Sequence, residues 1–257
     1  MPAHDLALLT EAARAAGEVA MRFWRNAPKS WEKGDQGPVT EADLACNDLI
    51  RGMLTRARPN YGWLSEETPD STARLEHDHV FIIDPIDGTR AFIAGESHFS
   101  HSLAVAQHGI VTAAVVFLPA LDRLYTATRD GSALVDGAPI ACQSAALADR
   151  PNILTSKVTL SPEHWRAAAP EFQRSFRASL AYRLCLVADG SFDGMITFRD
   201  SWEWDIAAGS LIAEKAGAKV TDRFGAPLRF NSKPAQSAGC LAMAPALHGE
   251  FAALIKA

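Results

Sequence analysis

Apolar residues at Leu6, Leu9, Ala13, Ala16, Ala20 and Phe23 recur at spacings of three and four, the period of a helix with one buried face. Pro28 stops that helix soon afterwards. A second helical pattern opens at Thr40 and runs through Cys46, Leu49, Ile50, Met53 and Leu54 to Pro59. From Val80 the texture changes to β-rich runs at 80–83, 101–107, 110–117 and 121–126, separated by turn pairs such as His108-Gly109 and Asp130-Gly131. These runs predict an antiparallel meander. Beyond Pro139 the pattern alternates: a strand at 152–155, helices near 162–168 and at 180–188, a strand at 195–198, a helix at 206–216, then further strands. No repeat or low-complexity linker divides the chain, so an α+β half, 1–139, and an α/β half, 140–257, are expected to share one interface.

The 257 residues are 48% hydrophobic and 21% charged, which excludes disorder, and no apolar run is long enough to span a bilayer. Twenty-five basic against thirty acidic residues leave a net charge of −5 with no basic block, so nothing draws the chain to a nucleic acid or an anionic membrane. The four cysteines, Cys46, Cys142, Cys185 and Cys240, lie far apart without metal-ligand spacing and read as reduced, buried thiols. With no cationic leader at the start, the expected location is the cytoplasm.

The chemistry concentrates in Phe81-Ile82-Ile83-Asp84-Pro85-Ile86-Asp87-Gly88-Thr89, where an apolar strand delivers two acids around a proline and turns at a glycine. Pro85 cannot donate to a ladder, so Asp84 marks the point where pairing stops and side chains are free to converge on a ligand. The competing reading is an Asx turn capping a helix that begins near Thr89. Upstream, Trp63-Leu64-Ser65-Glu66-Glu67 ends another apolar stretch with two acids, which a solvated loop would also explain. Downstream, Asp205 falls in the first turn of a predicted helix, where the macrodipole favours a carboxylate even without a ligand. Acids drawn from several loops are how a protein supplies the oxygen ligands that a hard cation such as Mg²⁺ requires. His77, His79, His98 and His101 show no ligand spacing and read as surface or loop residues, and Ser65 and Ser100 lack a nucleophile elbow. Trp202 and Trp204 read as packing beside the site, with stacking against a substrate base as the alternative.

Together, Glu66-Glu67, Asp84-Pro85-Ile86-Asp87-Gly88-Thr89 and Trp204-Asp205-Ile206-Ala207-Ala208-Gly209 resemble, in order and spacing, the motifs of the inositol monophosphatase superfamily of Mg²⁺-dependent, lithium-sensitive phosphatases. The resemblance implies an α/β (α+β) layered sandwich, with a larger antiparallel sheet and its helices followed by a smaller α/β half. It implies that Glu66, Asp84, the Ile86 carbonyl, Asp87 and Asp205 hold two to three Mg²⁺ ions, and that Thr89 and Glu66 position and activate the attacking water. Gly88 and Thr89 would offer backbone N–H groups to the substrate phosphate, with Glu66, Ile86, Asp87 and Asp205 around it. In Lys33-Gly34-Asp35-Gln36-Gly37-Pro38-Val39-Thr40-Glu41-Ala42-Asp43 the acid matching Asp43 would hydrogen-bond the catalytic threonine, while Thr40 and Asp43 alone also suggest a capping box. Lys33 matches the family lysine only approximately and is left outside the expected site. The implied partner is a small phosphorylated metabolite, and a homodimer is a further implication.

Ser65-Glu66-Glu67, Pro38-Val39-Thr40 and Thr89-Arg90-Ala91-Phe92-Ile93-Ala94-Gly95 resemble the bisphosphate nucleotidase branch, which acts on adenosine 3',5'-bisphosphate. Inositol-1-phosphate and histidinol-phosphate phosphatases are the alternatives, with a non-catalytic phosphometabolite-binding module more remote. No metal-binding acid is missing, which favours an enzyme.

Overall fold

A computed structural model describes residues 2–34, 37–146 and 149–256. Asp35 and Gln36, part of the Lys33 to Asp43 motif, lie outside the described residues. The first elements are α1 (Pro2–Phe23), β1 (Ser30–Glu32), β2 (Pro38–Thr40), α2 (Glu41–Ala57), β3 (Gly62–Ser65), β4 (His79–Asp87) and α3 (Thr89–Ile93). Then follow β5 (Ser100–Gln107), β6 (Ile110–Leu118), β7 (Arg123–Thr128), β8 (Leu134–Val135), β9 (Ala138–Pro139), β10 (Asn152–Leu154) and β11 (Gln173–Ser175). The chain continues through α4 (Leu180–Ala188), β12 (Gly194–Thr197), β13 (Ser201–Trp202), α5 (Glu203–Lys215), β14 (Lys219–Thr221), β15 (Gln236–Ser237), β16 (Cys240–Met243) and α6 (Pro245–Leu254).

Strands β3 to β9 form a seven-stranded sheet in chain order. The predicted meander is antiparallel from β4 onward, but β3 runs parallel to β4, because a connection of some length between them lets the chain return to the same end. A five-stranded sheet has the order β11-β10-β12-β16-β14, with β10 parallel to both neighbours and β16 antiparallel to its own. The alternation of side chains explains the layering. On β4, Phe81 and Ile83 face α1 and α2 in one cluster, whereas Val80 and Ile82 join α4 and α5 in another. On the smaller sheet, Met195 and Ala242 face those same central helices, while Ile196 and Leu241 pack against Leu247 and Phe251 of α6. The result is helix, sheet, helix, sheet and helix in sequence, with residues from before and after position 140 in one central core. Both faces of each sheet are covered, which is why Val80-Phe81-Ile82-Ile83 is continuously apolar.

Two expected elements differ. The helix near 162–168 is a single 3₁₀ turn, Pro162–His164, because Trp165 leaves it to bridge Ile255. The strand expected at 121–126 begins at Arg123, since Pro119 opens a 3₁₀ turn first. The cysteines are free; Cys46, Cys185 and Cys240 are buried and Cys142 is half-buried. Among the described residues no helix is long and apolar enough to cross a membrane.

Candidate active site

Strand β4 pairs with β5 as far as Asp84 opposite Ser102, and the register then shifts before Asp87 meets Ser100. Proline chemistry creates the break, and two contacts hold it. Asp84 Oδ1 accepts from the Ile86 N–H at 2.9 Å, and His101 Nδ1 hydrogen-bonds the Pro85 carbonyl. His101 is therefore not a surface or loop residue: it is buried on β5, and burial pushes its pKa down to about 4. The neutral ring then donates from Nδ1 to the carbonyl. Gly88 follows with φ 99°, and a Cβ there would stand 3.3 Å from the His98 carbonyl oxygen, so only glycine makes this turn without strain. Gly88 is the N-terminal residue capping α3 and offers no side-chain cap, so Thr89 is not a helix-capping hydroxyl.

Ser102 also ties the third acid into place. Its hydroxyl donates to the Trp204 carbonyl at 2.8 Å, docking the first turn of α5 on β5 and bringing Asp205 beside Asp84. Asp84, Asp87 and Asp205 each present a carboxylate oxygen, all within 4.8 Å of one another. Asp87 Oδ2 accepts from Ser179 Oγ and the Ala181 N–H, both at 2.7 Å, at the N-terminus of α4. Burial and the neighbouring acids hold Asp84 and Asp205 well above the usual carboxylate range. Burial also raises Asp87, against the hydrogen bonds from Ser179, Ala181 and Leu180. Three hard oxygen donors whose mutual repulsion is only partly offset by Arg183 and Arg199 fit a divalent cation, which would relieve it.

Glu66 lines the same cavity but stands outside that group of three, with Oε1 accepting from Lys33 Nζ at 3.1 Å. Lys33, left outside the expected site, also reaches Glu67 at 2.7 Å. A lone lysine on a loop carries no local pattern, and only the pairing of β1 with β2 brings it over Glu66. Burial, opposed by Lys33, pushes Glu66 up to about 7. Both readings of Asp43 hold at once. Thr40 and Asp43 form a capping box at α2, and Asp43 Oδ1 also faces Thr89 Oγ1 at 3.3 Å. The Ile86 carbonyl is the second acceptor within reach of that hydroxyl, at 3.2 Å. Burial raises Asp43 to about 6.

The acids open into a cavity of about 690 Å³ whose lining includes Arg90, Arg183, Arg199 and Arg223. Arg183 Nε donates to the Arg177 carbonyl at 2.5 Å and Arg223 Nη1 to the Phe198 carbonyl at 2.7 Å. Among the described residues Arg183, Arg199 and Arg223 pair with no carboxylate, an arrangement that sequence reading missed because the three come from separate elements. Trp202 and Trp204 stack on each other, centroids 4.7 Å apart at 9°, against a second cavity that also touches Glu66. They pack beside the site.

Residues 2–257 match the inositol monophosphatase family, and the chain belongs to it. It is 37% identical over 203 residues to an inositol-1-monophosphatase of Rhizobium meliloti, covering 75% of each protein. It is 30% identical over 231 residues to the 3'(2'),5'-bisphosphate nucleotidase CysQ of Escherichia coli K12, covering 86% of this chain and 92% of that one. An IMPase structure from Thermotoga maritima superposes with a TM-score of 0.83 at 28% identity, covering 98% and 96% of the two chains. The chain is accordingly a Mg²⁺-dependent phosphatase of this family, acting on a small phosphorylated substrate.

Proposed function

We propose that the chain is a bisphosphate nucleotidase, releasing one phosphate from a nucleoside bisphosphate such as adenosine 3',5'-bisphosphate. The observation that carries this reading is the set of arginines that share a cavity with the acids and, among the described residues, have no carboxylate partner. A leaving group with a second phosphate would pair with them, and arginine's planar fork suits phosphate. An inositol monophosphate brings only one phosphate, although the Rhizobium meliloti relative carries the inositol phosphatase name.

Half 1–139 contributes Glu66, Asp84, Asp87 and Thr89 to this site, and half 140–257 contributes Asp205 and the arginines Arg183, Arg199 and Arg223. Asp84, Asp87 and Asp205, with Glu66 and the Ile86 carbonyl, would hold the metals. A cation held there would supply charge neutralisation to the phosphate oxygens and acidity to a water. Glu66 shares Thr89's cavity, and its carboxylate would take a proton from the attacking water. Asp43 accepts from the Thr89 hydroxyl and so turns the Thr89 lone pairs towards the water's other proton. The N–H groups of Gly88 and Thr89 receive the phosphate at the turn into α3.

Phosphate release with Mg²⁺ is compared for adenosine 3',5'-bisphosphate, inositol 1-phosphate, histidinol phosphate and fructose 1,6-bisphosphate. The reading requires at least a hundredfold higher kcat/KM for the nucleotide. A preference for inositol 1-phosphate overturns it in favour of the alternative, and inactivity on all four with intact Mg²⁺ binding would return attention to a binding module.

A further inference from the structure

The three most exposed large apolar side chains described are Val158 at 64%, Phe224 at 55% and Phe176 at 50%. Two of them line one cavity and the third follows a residue that does. Val158 and Phe176 line the cavity that holds the acids and arginines, and Phe224 adjoins Arg223, which lines it too. The guanidinium carbon of Arg183 lies 4.3 Å from the centroid of the Phe176 ring, and the same guanidinium donates from Nε to the Arg177 carbonyl. The arginine thus backs the ring and limits its rotation.

We propose that Phe176, flanked by Val158, is a stacking platform for a flat heteroaromatic base on the leaving group. This rests on the nucleotidase reading and deepens it. Aromatic rings recognise bases through their faces, and a guanidinium behind the ring adds cation–π attraction. A polyol ring edged with hydroxyls would leave those groups without hydrogen-bond partners against Val158 and Phe176. Arg199 and Arg223 in the same cavity, which pair with no carboxylate among the described residues, would take an anion carried beside the base. A base with an attached phosphate therefore fits the apolar and cationic surfaces together.

The test separates base from phosphate. Binding of adenosine 5'-phosphate and of ribose 5-phosphate is measured by calorimetry in the presence of Mg²⁺, since the two ligands share a phosphate and differ by the base. Wild-type protein is expected to bind the adenosine compound at least tenfold more tightly; Phe176→Ala should reduce that ratio below threefold, and Phe176→Tyr should retain it. Equal affinities in the wild type, no adenosine 5'-phosphate binding at millimolar concentration, or a ratio unmoved by Phe176→Ala overturns the platform. So does a change of oligomeric state in Phe176→Ala on gel filtration, which would make Phe176 an interface residue. Phosphate release from adenosine 3',5'-bisphosphate, assayed alongside, tests the other reading: its absence overturns the nucleotidase, whereas its presence with equal ligand affinities overturns only the platform.

Discussion

Asp84 and Asp87 on one side of the cavity are buried, and with Asp205 they are held by main-chain devices: a broken register, a glycine at φ 99° and the first turn of α5. Arg199 and Arg223 on the other side are exposed or half-buried, and Arg223 is held by one carbonyl. The acid wall gathers like charges at a cost in repulsion that a bound cation or protonation relieves. The arginine wall is solvated, leaves donors free, and can exchange partners cheaply. Buried, main-chain-fixed construction thus goes with the metal-binding acids, and looser construction with the side that would meet the leaving group.

Breaking the acid wall should have the largest effect. Asp87→Asn is expected to cut phosphate release by about 10³-fold because a ligand charge is lost from the metal site. The fold should survive, as the amide oxygen can still accept from Ser179 and Ala181. Circular dichroism and turnover measured together check this, and near-normal turnover would remove Asp87 from the mechanism. Next, Thr89→Ala should lower kcat by about 10²-fold with little change in melting temperature, since the hydroxyl faces Asp43 and the Ile86 carbonyl and caps no helix N–H. A shift in melting temperature without loss of kcat would reverse that assignment.

On the arginine wall the effect should appear as selectivity. Arg199→Ala combined with Arg223→Ala should lower the ratio of kcat/KM for adenosine 3',5'-bisphosphate over inositol 1-phosphate by about 10- to 100-fold. An unchanged ratio would place the second phosphate elsewhere.

The smallest effect is on stability. Glu66 at about 7, Asp43 at about 6, and the raised Asp84 and Asp205 bind protons more tightly in the folded state than unfolded carboxylates do. Metal-free protein should therefore gain stability, on the order of 1 kcal/mol, as pH falls from 8 to 6. His101 and His248, lowered to about 4, pull the other way once pH drops below the ordinary histidine range. Mg²⁺ should raise the melting temperature most at pH 8 and flatten this slope. Melts unaffected by Mg²⁺ would contradict a repulsive acid wall.

The acid wall was legible because two of its members stand three residues apart at the end of one apolar strand and Asp205 opens a helix. The capping box of Thr40 and Asp43 was legible for the same local reason. His101 and Lys33 were not. A histidine in an alternating β run does not disclose that its ring meets the Pro85 carbonyl 16 residues away, nor does a loop lysine disclose a glutamate 33 residues on. The four runs that form β4 to β7 were readable as an antiparallel meander, while the short β8 and β9 went unread and the parallel placement of β3 depended on a return path with no local signature.

The sequence by itself determined the periodicities of the main helices and strands, the break at Pro85, the glycine turn and the acids that supply hard oxygen ligands, since each depends on residues adjacent in the chain. Only the tertiary structure decided that Arg183, Arg199 and Arg223 face those acids, that Ser102 docks Asp205 beside Asp84, and that Phe176 stands at the mouth. The reason is physical: stacking two sheets and three helical layers brings together side chains from separate elements, and no local periodicity encodes which of them will meet.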